Sequence, residues 1–454
     1  MIHGGHGHIA LVSHFLILAA IDQYFDKRSR NSIWAIILCS GLLIQAYFIP
    51  MLTAIWLASV VRRFLPGPIR FRQITLEIIT TVGAVLVVAW ATGYFAVGRS
   101  INPEGWNYVF RWQPLSLIDS GTDGSVGWSR IVRDNAQLSG DTEGFSFLGS
   151  GLLTLASFVV ITKMFYLLKN QSRSTQIMSV FIPLILSIPI LVVRGSSGLK
   201  ILLSLLLLGA LGLLVLEYLV GCFRKSNGPS LRGYLPLLSA SIFLALYSLT
   251  NNVGFGTNRL FEYPLLPGLK QFTETFRTHG RFIWPAFYGL MILVLIGVMR
   301  HLGPRWRAVV LSAALLFQLA DSNTALNGVR DRFANTPKWK SRLDDALWVE
   351  LASKYSSIVV VPPLNNDPED LWLDFTKLAS ENEMSINSGY FSRFDVNSYV
   401  SETNSLMTSI EDGTVGRDAF IVILDPEYFS RVKNQNKNSS YSFKKIDGFN
   451  VVLP

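Results

Sequence analysis

The sequence predicts a polytopic α-helical membrane protein, with about eight to ten transmembrane helices and a small C-terminal α/β soluble domain. Three observations predict it. Half of the residues are hydrophobic and only 16% are charged, with a mean hydropathy of +0.36, well above the usual balance of a soluble globular chain. The apolar residues fall in blocks: Ile78 to Val97, Phe147 to Leu168, Ile177 to Val193, Ile201 to Phe223, Tyr234 to Leu249, Ile283 to Met299 and Ala308 to Ala320. Most are long enough, as helices, to cross about 30 Å of hydrocarbon. From Asn323 the pattern turns to charged, polar and short apolar segments, so 1–322 reads as the transmembrane region and 323–454 as an extracytoplasmic soluble domain.

Basic residues set the expected topology. Arg62, Arg63, Arg70 and Arg72, then Lys169 and Arg173, Arg224, Lys225 and Arg232, and Arg300, Arg305 and Arg307 fall between apolar blocks without acidic neighbours and are expected on the cytoplasmic side. The net charge of +9 therefore reads as topology, not as a nucleic-acid surface, and no nucleic-acid partner is expected. Alternation places loops 98–146 and 251–281 and the tail on the opposite side.

Lys27, Arg28 and Arg30 also read as cytoplasmic, yet one apolar stretch joins them to Arg62 and Arg63. Parity demands an even number of crossings there. The stretch Ile33 to Val61 is therefore predicted to form two short helices meeting near Gln45 to Pro50, with Pro50 supplying the break. The alternative is one long tilted helix.

The first block, about Ile9 to Phe25, makes a poor signal peptide, because no basic region precedes it and no small-residue cleavage site follows. Cys39 and Cys222, both in apolar blocks, provide neither a disulfide framework nor a thiolate metal site. No Gly-x-Gly-x-x-Gly, Walker-type or His-Glu-x-x-His pattern occurs, which argues against a nucleotide-driven pump or a zinc protease.

Four segments carry a resemblance: Gly7-His8-Ile-Ala-Leu-Val-Ser-His14-Phe-Leu-Ile-Leu; Gln45-Ala-Tyr-Phe followed by Trp56-Leu-Ala; Glu143-Gly-Phe-Ser-Phe-Leu-Gly-Ser-Gly151; and His279-Gly-Arg-Phe-Ile-Trp-Pro285. Together they resemble a family of uncharacterised bacterial membrane proteins related to the GT-C glycosyltransferases, which use polyprenyl-phosphate-linked sugars. The resemblance implies a GT-C-like fold in the bacterial inner membrane and transfer of a sugar from a polyprenyl-phosphate donor to a glycan or lipid acceptor of the cell envelope. It also implies a catalytic carboxylate in the first large outward loop, acting as general base or as ligand of a divalent metal, as in some GT-C relatives. That loop would precede Met1, so the chain is expected to be the back portion of a longer one.

Within the outward loops, Arg111 and Arg130 are expected to bind lipid phosphate or sugar, since arginine offers paired donors to phosphate oxygens, and Trp112 offers a flat face to a sugar ring. Asp119, Asp123, Asp134 and Asp141 accompany them, as do Arg99, Arg133, Trp106, Tyr108 and Trp128; an interfacial loop of solvated charges is the plainer reading. Glu143 is the catalytic candidate. It stands directly before a helix in the matching motif, where it would equally serve as a cap. In the second loop Arg281, with His279, is the lipid-phosphate candidate, one turn before a helix expected at Trp284-Pro285. His8 and His14 are the intramembrane polar residues; His14 reads as a buried contact between helices, although ionisable groups in a membrane are functional candidates by default. His3, His6 and His8 lack an accompanying carboxylate, so no metal site is assigned to them.

The tail is expected to hold strands at Ser357 to Val361, Phe420 to Leu424 and Tyr441 to Ile446, with helices near Pro368 to Glu381 and Ser398 to Ile410. Asp425-Pro426 reads as a turn. Two functional readings stand: a membrane glycosyltransferase, or a non-catalytic scaffold or accessory subunit of envelope polysaccharide assembly. A transporter is disfavoured, because no paired broken helices or repeated halves are visible.

Overall fold

A computed structural model describes residues 9–26, 30–64, 71–95, 110–121, 128–132, 140–168, 233–265, 276, 278–335, 339–365, 367, 369–390, 396–436 and 441–454. The blocks Ile177 to Val193 and Ile201 to Phe223 lie outside the described residues, with Lys27, Arg28, Arg70, Lys169, Arg173 and the basic residues from Arg224 to Arg232. The chain divides into two compact units, Met1–Tyr94 with Pro103–Thr336, and Phe95–Asn102 with Pro337–Pro454.

In the first unit the helices, labelled in order over the described residues, are α1 (Phe15–Phe25), α2 (Asn31–Ile44), α3 (Phe48–Phe64), α4 (Phe71–Ala91), α5 (Ser150–Leu168), α6 (Leu235–Ser248), α7 (Trp284–His301) and α8 (Pro304–Asn335). Among the described residues, three stretches are long and apolar enough to cross a membrane: Arg72–Ala91, His279–Arg300 and Pro304–Asn335. Shorter apolar helices cover Ala10–Phe25, Asn31–Ile44, Ser150–Val160 and Leu235–Ser248.

The polarity of α4 runs opposite to that of a helix packed in a water-soluble protein. Leu76, Ile79, Val82, Leu86, Val87 and Trp90 point outward, while Glu77 and Thr81 are buried. Helix α8 repeats this, exposing Trp306, Val309, Leu315, Leu316 and Leu319 and burying Asp321.

The predicted short hairpin is present. Helix α2 has 14 residues and α3 has 17, so α2 spans about 21 Å. The break falls at Gln45–Tyr47, where Gln45 leaves the helical region with φ −164 and ψ 121. Pro50 does not supply it. That residue sits in the first turn of α3, where a missing N–H leaves no intrahelical bond unmade. The two helices approach closely because position 41 is glycine; a Cβ there would lie 2.6 Å from Leu52 Cδ1.

Parity is also met. Arg62 at the end of α3 donates to the Tyr24 carbonyl at the end of α1, and Tyr94, just past α4, donates to the Leu42 carbonyl near the end of α2 at 3.1 Å. Arg63 is not the unpaired cation that its neighbours in sequence suggest. It grips Glu77 of α4 through both terminal nitrogens at 2.7 Å, and Trp56 Nε1 donates to the same carboxylate at 3.3 Å.

Helix α8 does not stop at the boundary read from composition. It continues through Asn323 to Asn335, and the second unit takes over at Pro337. Two of its polar residues have work inside the first unit. Gln318 accepts from Gly151 N at 2.9 Å, and Asp321 accepts from Arg130 N at 2.9 Å and Ile131 N at 3.0 Å.

The second unit is the expected small domain of helices and strands. Its five-stranded sheet has the order β4 (Ser385–Ile386), β3 (Ser357–Val361), β5 (Ala419–Ile423), β7 (Phe449–Leu453), β6 (Ser442–Ile446). Strand β3 is parallel to β4 and β5, whereas β7 is antiparallel to both β5 and β6. Helices α9 (Leu347–Lys354), α10 (Leu371–Glu381), α11 (Val396–Glu411) and α12 (Pro426–Gln435) complete it.

Alternation along the strands builds a core on each face of this sheet. Ile358, Val360, Phe420, Val422 and Val451 pack with Trp348 and Phe375, and Val361, Ile421, Ile423 and Val452 pack with Ile410, Tyr428 and Val432. Asp425-Pro426 is a helix start, not a plain turn: the Asp425 carboxylate accepts from Glu427 N at 2.8 Å and Tyr428 N at 3.3 Å, the N-cap arrangement with proline at the first position. Strands β4 and β7 and helices α9 and α12 have no counterpart among the elements expected from sequence.

The β6–β7 hairpin closes on Asp447-Gly448 with φ 47 and 86, the two left-handed residues of a type I′ turn. Asp447 then accepts from Asp344 N and Asp345 N, both at 2.8 Å, and from Trp348 Nε1 at 3.0 Å. The Asp345 amide, followed by the other two donors, holds its carboxyl below the usual carboxylate range.

Candidate functional site

The polar centre of the first unit is assembled at one end of the bundle, where α1 and α3 begin. Three chain segments meet there: 110–113, the 3-10 turn Asp141–Gly144, and the 3-10 turn His279–Ile283 that leads into α7. Gly280 N donates to the Phe110 carbonyl at 2.9 Å, and Trp284 Nε1 donates to the Phe145 carbonyl at 3.3 Å. Glycines make the approach possible. A Cβ on Gly280 would lie 2.8 Å from the Arg111 carbonyl and from Gly144 Cα, and one on Gly144 would lie 2.7 Å from Trp112 Cα. No side chain fits in that stack.

Two arginine–carboxylate pairs flank it. Arg111 Nε donates to Asp141 Oδ1 at 2.9 Å, and its Nη1 donates to the Asn252 carbonyl at 2.6 Å and to Asn252 Oδ1 at 3.0 Å. The side chains of Arg111 and Asp141 are 2% and 0% exposed, so the pair is fully withdrawn from water. Asn252 opens β1 (Asn252–Phe255), which pairs antiparallel with β2 (Asn258–Glu262) in a hairpin within the segment expected as the second outward loop. Gly254 of β1 leaves the space that the Arg111 guanidinium occupies: a Cβ there would meet Nη2 at 2.1 Å.

Arg281 donates from Nε and Nη2 to Glu143 Oε2, at 3.1 and 2.7 Å, linking residues 138 apart in sequence. Its guanidinium lies 4.7 Å over the centre of the Tyr47 ring, within cation–π range. Tyr47 OH in turn accepts from Thr278 N at 3.0 Å.

Arg281, Glu143, Arg111, Trp112 and His279 are thus brought to one place. Arg281 lies one turn before α7, as expected. Glu143, by contrast, neither directly precedes nor caps a helix, because α5 begins only at Ser150. Trp112 is buried, with Nε1 donating to Ser146 Oγ at 2.9 Å, so its indole is a packing element here and not an open sugar platform. His279 is buried against the Tyr247 ring at 5.1 Å.

Arg130 is not part of the centre. Its side chain is exposed and its Nε donates to Thr324 Oγ1 of α8. His14 is the interhelical contact expected of it: buried, hydrogen-bonded with Tyr288 OH at 3.0 Å, its ring 4.1 Å from that of Trp284. His8 lies outside the described residues, as do His3, His6, Arg99, Arg133, Asp123, Asp134, Trp106 and Tyr108.

Sequence reasoning did not single out Tyr47, Asn252, Ser146 or Glu77. Tyr47 and Ser146 carried a signal, as members of Gln45-Ala-Tyr47-Phe48 and Glu143-Gly-Phe-Ser146; Asn252 and Glu77 carried none. A divalent metal, of the kind the family resemblance admits, finds no donor set: no group of three or more His, Cys, Asp or Glu that could hold one exists among the described residues, and an arginine occupies each of Asp141 and Glu143.

Fold and site together define a helical bundle with outward-facing apolar helices, a closed arginine–carboxylate centre at one end, and a separate mixed-sheet domain. The chain belongs to the family described as Domain of unknown function (DUF6311), whose profile matches residues 1–200 and 203–323; residues 347–454 match the DUF6311 C-terminal domain. No curated protein and no solved structure matches the chain.

Proposed function

We propose that this is a GT-C-like membrane glycosyltransferase, or a portion of one, that moves a sugar from a polyprenyl-phosphate donor to a glycan or lipid acceptor of the cell envelope. Membrane residence is supported by the large apolar side chains that α4, α6 and α8 turn outward, since lipid is the solvent that stabilises such faces. The observation that carries the activity is the convergence of parts of four motifs far apart in sequence. His14, Tyr47 and Phe48, Glu143 to Phe145, and His279 to Trp284 meet in one centre, which is what a site for a phosphorylated lipid requires.

In this reading the Arg62 and Arg63 end of the bundle faces the cytoplasm of a bacterial inner membrane, and the centre and the C-terminal domain face the other side. Arg281 receives the lipid phosphate and Glu143 accepts the acceptor's proton. One observation favours the non-catalytic alternative, an accessory subunit of envelope polysaccharide assembly: both carboxylates of the centre are neutralised by arginines within the protein.

The test is transfer of labelled sugar from short-chain polyprenyl-phosphate donors by the purified protein and by its Glu143→Gln and Arg281→Ala variants. Transfer that falls at least a hundredfold in both variants supports the enzyme. Absence of transfer from every donor, or transfer unchanged in both variants, removes this assignment and leaves the accessory role.

A further inference from the structure

We propose that Arg281 is an anion site closed by Glu143, and that a phosphate ester binds by displacing the Glu143 carboxylate from the guanidinium. The displacement rests on geometry alone. Only the use of the freed carboxylate as a base rests on the transferase reading above.

The two arginines of the centre are held differently. Arg111 is shut away from solvent, its side chain 2% exposed, with Nε on Asp141 and Nη1 on Asn252, while Nη2 makes no hydrogen bond among the described residues and fills the space left by Gly254. Arg281 is half engaged. Its Nε and Nη2 share one oxygen, Oε2 of Glu143, and its Nη1 makes no hydrogen bond among the described residues. A carboxylate held through one oxygen leaves much of the guanidinium's donor capacity unused, whereas a phosphate presents oxygens enough for both edges.

Exposure gives the order of access. The Glu143 side chain is 13% exposed and that of Arg281 5%, so the carboxylate lies nearer the solvent and an incoming anion meets it first. Support from beneath does not depend on Glu143: the guanidinium rests on Tyr47, whose hydroxyl is fixed by Thr278 N. The arginine therefore keeps its place when the carboxylate leaves. Glu143 then stands beside the bound phosphate with its charge unpaired, on the short turn Asp141–Gly144 whose neighbour Asp141 remains clamped by Arg111.

The experiment is a binding titration on the full chain in detergent, with inorganic phosphate and farnesyl phosphate as probes and farnesol as the neutral control. Arg281→Gln is expected to weaken phosphate binding at least tenfold. Glu143→Gln, which removes the competing charge, is expected to tighten it about tenfold. Binding of both probes with this pattern identifies the phosphate itself as the ligand; the pattern with farnesyl phosphate alone identifies a lipid-linked ester. A Glu143→Gln variant that binds no tighter than the parent, or an Arg281→Gln variant that binds equally well, overturns the proposal.

Because either variant can fail to fold, a second measurement uses the unaltered protein. Carbodiimide labelling of Glu143 should rise severalfold on adding the probe that binds, and an unchanged yield at saturation overturns displacement. The two proposals fail separately. Exchange without any sugar transfer sinks the transferase alone, and transfer without exchange sinks the displacement alone.

Discussion

At the scale of single residues, the difference between the two arginines is the main consequence of burial. Arg111 and Asp141 lie in a water-free environment, where removing one partner strands the other's charge or polarity. Arg111→Met should therefore cost about 3–5 kcal/mol of stability, read as a loss of thermal midpoint in detergent, and Arg281→Met markedly less, because Glu143 reaches water. Equal losses in the two variants would show that burial does not separate them. Asp447 gives a pH prediction of the opposite kind, on an exposed group. Its folded-state pKa lies below the ordinary 3.8, so its contribution is present above that value and is lost as pH falls through the folded pKa. The C-terminal domain should lose stability on acidification below about pH 4, and Asp447→Asn should flatten that part of the profile.

At the scale of elements, glycines and caps decide where helices begin and how near they come. Pro50 lies in the first turn of α3, so Pro50→Ala should change stability by no more than about 0.5 kcal/mol. Asp425→Ala, which removes the acceptor of two amides at the start of α12, should cost about 1 kcal/mol. Denaturant or thermal midpoints of the two variants check both, and a larger loss for Pro50→Ala would put the hairpin break back at the proline. The α2–α3 hairpin was legible through the parity of basic residues. Its turn was misplaced because proline is the obvious breaker in a sequence, while the extended φ of Gln45 leaves no compositional trace. The β1–β2 hairpin escaped because Asn252–Glu262 shows no clear alternation; its position depends on Arg111, which reaches it from a distant segment.

At the scale of the whole molecule, the two units carry different chemistry. The mixed sheet has an apolar core on each face, enough for a cooperative fold. Residues 339–454 expressed alone should be soluble and unfold in a single transition by circular dichroism; a molten, dye-binding fragment would contradict this. In the bundle, α4 and α8 turn large apolar side chains outward, while Glu77, Asp141, Arg111 and Asp321 are buried alongside an apolar core that includes Trp34, Phe48 and Phe282.

The sequence by itself determined the class of each part, because hydrophobic blocks and period-2 strands are local patterns that survive in a linear reading. It also named Arg111, Arg281, His279 and Glu143 as separate candidates in two outward loops. What only the tertiary structure decided is who pairs with whom: Glu143 with Arg281, Asp141 with Arg111, Glu77 with Arg63, and Arg130 away from the centre against α8. Such pairings join residues from distant segments across a packed interior, and the free energy of burying a charge depends on the partner the fold brings to it, a quantity that no local pattern encodes.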